Sequence, residues 1–345
     1  MESPHKNEGE SPSGFCFSEE MRAGLLKKQY GLAGRHSAVQ ICGWTKKALR
    51  RKGYCYKSKF YGIETHACAQ MSPSAAWCSQ NCIFCWRPME WMGLPSDGAS
   101  EGQVDPPELI IEKVVEQRRR LFSGLGGAVD SNRRMFEDGF SRFPAHWAIS
   151  LSGEPTLYPR LPELIRMLKE NPAVKSVFLV TNGQEPEMLL RLKKENALPT
   201  QLYISVDAPD KEAFFRVNAP LHADGWERLG KSLELIADFP CRRVLRFTVI
   251  KEINEREGML PLYGELFGKS RADFVEVKAY MHLGYSRKRL SASNMPSHEE
   301  IREISRALVD FLPGFRYEDE DPPSRVVLLK NKKSRYPNII STVEG

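Results

Sequence analysis

The sequence lacks the fourth cysteine that would close a metal site. Cys78, Cys82 and Cys85 stand in the spacing C-x3-C-x2-C, and Cys42, Cys55 and Cys68 in the spacing C-x12-C-x12-C. The chain's other two cysteines, Cys16 and Cys241, lie near neither set and receive no role. A structural zinc site takes four protein ligands, so each triplet excludes a closed site of its own and leaves one position open for chemistry. Long apolar runs are also missing: nothing approaches the roughly 18 residues of a membrane span. The first residues, MESPHKNEGESPSG, have no apolar leader core, and no internal repeat is present. These absences, with cysteines set as ligands rather than as a disulfide framework, point to a cytoplasmic protein in a reducing compartment, with no membrane contact.

What is present begins with an uneven charge. Residues 1–70 hold 12 lysines and arginines against 6 acidic residues, so the whole net charge of +6 lies there. The stretch WTKKALRRKGYCYKSKFYG (44–62) interleaves basic residues with Trp44, Tyr54, Tyr56, Phe60 and Tyr61. Such a mixture pairs with phosphates and stacks on unpaired bases, although a solvated basic helix has the same composition. Arg118–Arg120, Arg133 and Arg134 are further cations able to hold a nucleic-acid backbone. The segment 123–142, with its glycines, reads as a mobile lid, an RNA-contacting loop or a plain connector.

The remainder alternates apolar runs with amphipathic stretches. Strands are expected at WAISLS (147–152), SVFLVT (176–181), QLYISV (201–206), RVLRFTVI (243–250) and DFVEVKAY (273–280), with one more around HACAQMSPS just before the first cysteine triplet. Helices are expected between them, including one that opens at DPPELII with Asp105 as N-cap and Pro106 at the first helical position. About six parallel strands are too few for a closed eight-stranded barrel. The expected fold is therefore α/β, an open partial (β/α)6 TIM-like barrel, with its functional residues at the C-terminal ends of the strands. The expected organisation is a disordered tail over 1–20, a basic region with the second triplet over 21–70, the barrel over 71–312 and an extension over 313–345. A helix near 297–312 and a late strand RVVLLK (325–330) complete it.

Three thiolates can hold three irons of a 4Fe–4S cluster and leave the fourth iron free; a zinc site with a partner from elsewhere is the alternative. The spacing of Cys78, Cys82 and Cys85, with Phe84 before the last, resembles the radical S-adenosylmethionine (SAM) enzymes. The resemblance implies SAM on the open iron and its cleavage by one electron to methionine and a 5′-deoxyadenosyl radical. Gly153 and Glu154 in SLSGEPTLYP resemble the element that receives the SAM amino group. Asn182, Ser205 and Asp207 also sit at strand ends, where polar groups reach a ribose or a carboxylate, or serve merely as caps and turns.

Together the two triplets, YCYKSKFYGIETHACAQM, CIFCWRP, SLSGEPTLYP and ISVDAP resemble the tRNA 4-demethylwyosine synthases of wybutosine biosynthesis, from about residue 38 to residue 340. The resemblance implies a second 4Fe–4S cluster on Cys42, Cys55 and Cys68, where buried structural cysteines are the plainer reading. It implies a lyase-type condensation of pyruvate carbons onto N1-methylguanosine next to the anticodon of phenylalanine tRNA. An open iron of the second cluster would chelate pyruvate, and Lys57, Lys59 or Lys278 would form a Schiff base with the keto acid; a phosphate-binding surface lysine is the other reading of Lys57. Residues 1–40 are too short for the flavodoxin-like domain of eukaryotic members and have no phosphate-cradling glycine loop. A monomer with an external ferredoxin or flavodoxin as electron donor is therefore expected. A radical SAM enzyme with an auxiliary cluster acting on a peptide or small metabolite would share both triplets without needing the basic aromatic segment. A zinc-stabilised RNA-binding module would need neither iron nor SAM.

Overall fold

The apolar runs become strands whose side chains alternate between two cores. A computed structural model of the chain describes residues 15–89, 92–95, 100–127, 132–256 and 258–340. Its strands are β1 (Gly31–Ala33), β2 (Ser37–Gln40), β3 (Cys68–Ser72), β4 (His146–Ile149), β5 (Ser176–Thr181), β6 (Gln201–Ser205), β7 (Arg242–Val249), β8 (Phe274–Ala279), β9 (Phe315–Asp321) and β10 (Val326–Asn331). They form one sheet in the order β1-β2-β3-β4-β5-β6-β7-β8-β10-β9. From β3 to β8 every pairing is parallel, while β2 on one edge and β10 on the other pair antiparallel. The six-stranded open barrel expected from the sequence is present, widened at both edges. β1, β2 and β9 were not foreseen, because runs this short, or as polar as FRYEDED, carry no apolar alternation.

The helices are α1 (Glu19–Lys27), α2 (Gly43–Leu49), α3 (Tyr56–Tyr61), α4 (Pro107–Ser123), α5 (Arg133–Ser141), α6 (Leu161–Glu170), α7 (Pro186–Lys194), α8 (Lys211–Val217), α9 (Gly225–Ile236), α10 (Met259–Lys269) and α11 (His298–Asp310). The outward strand residues, among them Ile149, Leu179, Leu202, Leu245 and Val275, form one core with apolar helix residues such as Leu164, Leu189 and Leu233. The inward ones, Phe178, Val180, Tyr203, Val244, Phe274 and Leu328, form a second core with Tyr56, Phe60 and Tyr61 of α3. Period-two alternation thus assigns every strand residue to the outside or to the lumen.

Four local readings differ. α4 begins at Pro107 with Pro106 as N-cap. The Asp105 carboxylate instead accepts the Arg35 backbone N–H at 2.6 Å and its Nε at 2.7 Å, since two successive prolines place the helix start one residue later. Residues 15–20 were assigned to the tail, yet Phe15 and Phe17 are buried, with Phe15 stacked on Trp77 at 4.4 Å between centroids. The 123–142 segment contains α5, N-capped by the Asn132 side chain; residues 128–131 of that segment lie outside the described residues. Finally, three of the five aromatics of 44–62 are unavailable to bases, because Tyr56, Phe60 and Tyr61 fill the inner core.

Candidate active site

The lumen is where the polar residues of the parallel strands converge. Counting inward from Phe178, Tyr203, Val244 and Phe274 at alternate positions places Cys68, Ser205, Arg246, Glu276 and Lys278 on that face. Glu276 is fully buried and accepts hydrogen bonds from the hydroxyls of Tyr56 (2.8 Å), Tyr61 (2.8 Å) and Tyr203 (3.0 Å). A buried carboxylate persists where donors and opposite charges surround it. Lys278, two residues along the same face, packs its Nζ 4.5 Å from the Tyr56 ring. Desolvation lowers the pKa of Lys278 although the Glu276 charge opposes that shift.

Beyond the C-terminal end of β3, the loop carrying Cys78, Cys82 and Cys85 is tied to its surroundings by backbone bonds. Cys78 N–H donates to Gly93 O at 3.1 Å, Asn81 N–H to Ala219 O at 3.0 Å and Ile83 N–H to Val217 O at 2.9 Å. Arg289 adds side-chain donors to Ile83 O at 3.0 Å and to Cys85 O. Asn182 Nδ2 lies 3.9 Å from Cys78 Sγ, and Asn218 Nδ2 3.8 Å from Cys82 Sγ. Burial pushes the Cys78 and Cys82 thiols well above their ordinary range. Buried thiols become thiolates only with a cation to pair them, and amide donors aimed at sulfur stabilise the added negative charge. Among the described residues, no three His, Cys, Asp or Glu side chains converge as they would around one metal ion.

Around that loop stand the strand-end residues. Gly153 has φ +67°, and a Cβ there would collide with the Ser74 and Trp77 carbonyl oxygens. Only glycine allows the chain to press against the cysteine loop at this point. The Glu154 carboxylate is consumed internally: Oε1 accepts from Thr156 N–H (3.1 Å) and Oγ1 (2.5 Å), and Oε2 from Asn182 N–H (2.8 Å). Asp207 Oδ1 accepts from Thr248 N–H at 2.7 Å, and burial pushes its carboxyl up to about 6. Ser205 Oγ accepts from Arg246 at 2.9 Å, while the buried Arg246 Nε has no hydrogen-bond partner among the described residues. Phe84 packs with Ile83 against Val217, Ile250 and Tyr280.

The second triplet lies elsewhere. Cys42 and Cys55 are the N-caps of α2 and α3, and Cys68 is the first residue of β3, at the N-terminal end of the strands. The first triplet follows the C-terminal end of β3, whereas Cys68 stands at its N-terminal end. The chain before β3 folds back and brings Cys42, Cys55 and Cys68 to the other end of that strand. Burial, with Cys42 close by, pushes Cys55 up to about 11 and Cys68 to about 12. Lys57 Nζ lies 4.5 Å from the Phe178 ring and 4.6 Å from the Tyr203 ring, both inward-facing. Lys59 does not join it. It pairs with Asp319 at 2.7 Å and with Glu320 O at 2.5 Å on β9, since two residues of an α-helix differ by about 200° in direction.

Sequence reading missed Asn218, Arg246 and Glu276, which belong to no recognisable motif; strand parity around Lys278 offered the only signal for Glu276 and, one strand over, for Arg246. It also misassigned Arg118. That guanidinium is buried and donates to Cys68 O (3.2 Å), Gly139 O (2.6 Å) and His66 O (2.6 Å), out of reach of any nucleic acid. Arg119, Arg120, Arg133 and Arg134 remain exposed.

An open six-stranded parallel barrel with a tethered thiol triplet at its mouth defines a radical SAM enzyme. Residues 72–259 match the model of the radical SAM superfamily, and residues 269–331 that of wyosine base formation. The chain is 48% identical over 311 residues to the S-adenosyl-L-methionine-dependent tRNA 4-demethylwyosine synthase of Pyrococcus abyssi, covering 89% of this chain and 87% of that one. It is 37% identical over 314 residues to the mouse synthase TYW1, covering 91% of this chain and 42% of the mouse protein. A solved structure of TYW1 with a lysine–pyruvate adduct bound superposes with a TM-score of 0.80 at 35% identity, over 92% of this chain and 98% of that one. The chain belongs to the tRNA 4-demethylwyosine synthase family. No helix among its described residues is long and apolar enough to cross a membrane.

Proposed function

We propose that this protein closes the third ring of 4-demethylwyosine on N1-methylguanosine next to the anticodon of phenylalanine tRNA, using two carbons of pyruvate. The observation that carries this reading is Lys57, an amine set against the inward-facing rings of Phe178 and Tyr203 and beside Cys55 of the second triplet. The solved structure of a relative with a lysine–pyruvate adduct bound supports it.

Cys78, Cys82 and Cys85 would hold a 4Fe–4S cluster, and Cys42, Cys55 and Cys68 a second. When bound, the first supplies the electron that splits SAM into methionine and the 5′-deoxyadenosyl radical. Gly153, Glu154, Asn182 and Asp207 form the rim that seats SAM. Because both acidic side chains among them are already bonded within the protein, they fix the rim's shape, and Ser205 and Arg246 are left to meet the SAM carboxylate. The Lys57 amine attacks the keto carbon of pyruvate and water leaves, giving an imine; Lys278 offers a second cation to the keto acid's carboxylate. Cys55, Trp44, Lys47, Lys52 and Tyr54 line part of a cavity of about 380 Å³. Its exposed Tyr54 and its lysines suit an anticodon-loop base and its phosphates, and a loop nucleotide is displaced at lower cost than one in a duplex. The protein acts as a cytoplasmic monomer with an external ferredoxin or flavodoxin as donor.

The test is to incubate anaerobically reconstituted protein with SAM, a reductant, uniformly 13C-labelled pyruvate and phenylalanine tRNA carrying N1-methylguanosine. Mass spectrometry of the nucleosides is expected to reveal a tricyclic product with two heavy carbons. SAM cleavage with unchanged tRNA would contradict the proposal.

A further inference from the structure

A second cavity borders the first cysteine loop at Trp86 and Arg87 and has no part in the function proposed above. It measures about 440 Å³, within the size range of small-ligand sites. Its walls come from three distant parts of the chain: Lys28 and Tyr30 after α1, Trp86 and Arg87 after Cys85, and Gly284 and Tyr285 after β8. Tyr285 N–H donates to Trp86 O at 3.1 Å, and a Cβ on Gly284 would collide with that same carbonyl. The wall following β8 is therefore zipped to the cysteine loop.

The chemistry of the lining is that of a nucleotide site. Arg87 is 5% exposed and lies flat on Trp86, with Cζ 3.6 Å from the ring centroid. Its Nη1 donates to Tyr30 Oη and, at 3.0 Å, to Gln40 Oε1. Its Nε and Nη2 are buried with no hydrogen-bond partner among the described residues. A buried guanidinium with two nitrogens unsatisfied is costly unless an external anion completes it. Lys28 Nζ lies 4.2 Å from the Tyr285 ring and Lys288 Nζ 4.9 Å from it, and no carboxylate is among the described lining residues. Trp86, 47% exposed, presents an aromatic surface to solvent. Aromatic faces beside cations are what single-stranded nucleic acids bind.

We propose that this cavity holds one nucleotide of the RNA substrate, flanking the base that is modified, with its phosphate on Arg87 and Lys28 and its base against Trp86 and Tyr285. The inference rests on the tRNA reading above and adds a subsite to it. Because Trp86 directly follows Cys85, a nucleotide seated there brings its neighbour in the chain to the barrel mouth. The subsite would thus set the register of the anticodon loop.

Arg87 is buried, so the variants are made at the rim. Tyr285→Ala and Lys28→Ala are reconstituted and checked for wild-type iron content and circular dichroism. Binding of an anticodon stem–loop is then measured by fluorescence anisotropy across a salt series. The expected result is a Kd raised about 10-fold by Tyr285→Ala. Lys28→Ala should lower the slope of log Kd against log salt by about 0.7. Unchanged affinity and slope in folded variants would overturn the subsite and leave the proposed function standing. If affinity is unchanged but reduction by an acidic flavodoxin slows, the cavity is assigned to the electron carrier and the inference fails. If the variants bind RNA weakly while the wild type makes no tricyclic base, the subsite stands and the proposed function falls.

Discussion

Lys57→Ala is expected to abolish formation of the tricyclic base, by a factor on the order of 10³ or more, the scale expected when a covalent nucleophile is removed. The result follows from the position of its amine against Phe178 and Tyr203 and beside Cys55. Borohydride added with pyruvate should reduce the imine in the wild type, leaving a secondary amine that peptide mass spectrometry assigns to residue 57. In Lys57→Ala no adduct forms. Lys59→Ala provides the contrast, because its ammonium is held by Asp319 on the far face of α3. That variant should keep both the adduct and most of the product. Trapping at Lys278 instead of Lys57 would transfer the role to β8 and contradict the assignment.

Arg118→Ala lowers stability by about 4 kcal/mol, through loss of a buried charged donor that serves three carbonyls. Its guanidinium bonds Cys68 O, His66 O and Gly139 O and lies 4.5 Å from the Phe122 ring. Burial pulls its pKa down to about 10, still high enough for full charge at neutral pH. One side chain thus joins α4 to α5 and to the first residue of β3. Chemical denaturation of the variant should reveal the loss, and iron bound at the second triplet should fall with it, since Cys68 is the residue so anchored. In contrast, Arg119→Ala and Arg120→Ala, at exposed positions, should weaken tRNA binding with little change in stability. A stable Arg118→Ala that binds tRNA poorly would restore the contact role its sequence position suggests.

The two neighbouring arginines show why some of this molecule is legible in its sequence and some is not. Periodicity marks α4 and the six parallel strands because burial of their apolar faces dictates the pattern. It cannot tell that position 118 turns inward while 119 and 120 face water, since a buried arginine is specified by carbonyls elsewhere in the chain. The first cysteine triplet stands out in the sequence because Cys78, Cys82 and Cys85 sit close together in a ligand-like spacing, whereas the even spacing of Cys42, Cys55 and Cys68 does not by itself bind a metal. Glu276 is not legible, because its meaning lies in three tyrosines brought from α3 and β6. Helical geometry alone could have separated Lys57 from Lys59, yet the short α3 gives little apolar pattern from which to start. The aromatic content of 44–62 reads as an RNA-stacking surface, whereas half of it is core, because composition does not reveal which face of a helix is buried.

The central claim is that two cysteine triplets, at opposite ends of β3, hold two separate clusters. It is tested most directly by iron and sulfide content, together with the electron paramagnetic resonance spectrum, of the anaerobically reconstituted protein and of a variant with Cys42, Cys55 and Cys68 all changed to alanine. The account predicts about eight irons in the wild type and about four in the variant, with one of two overlapping signals lost. About four irons in both proteins would leave the radical SAM site intact and remove the second cluster from the account.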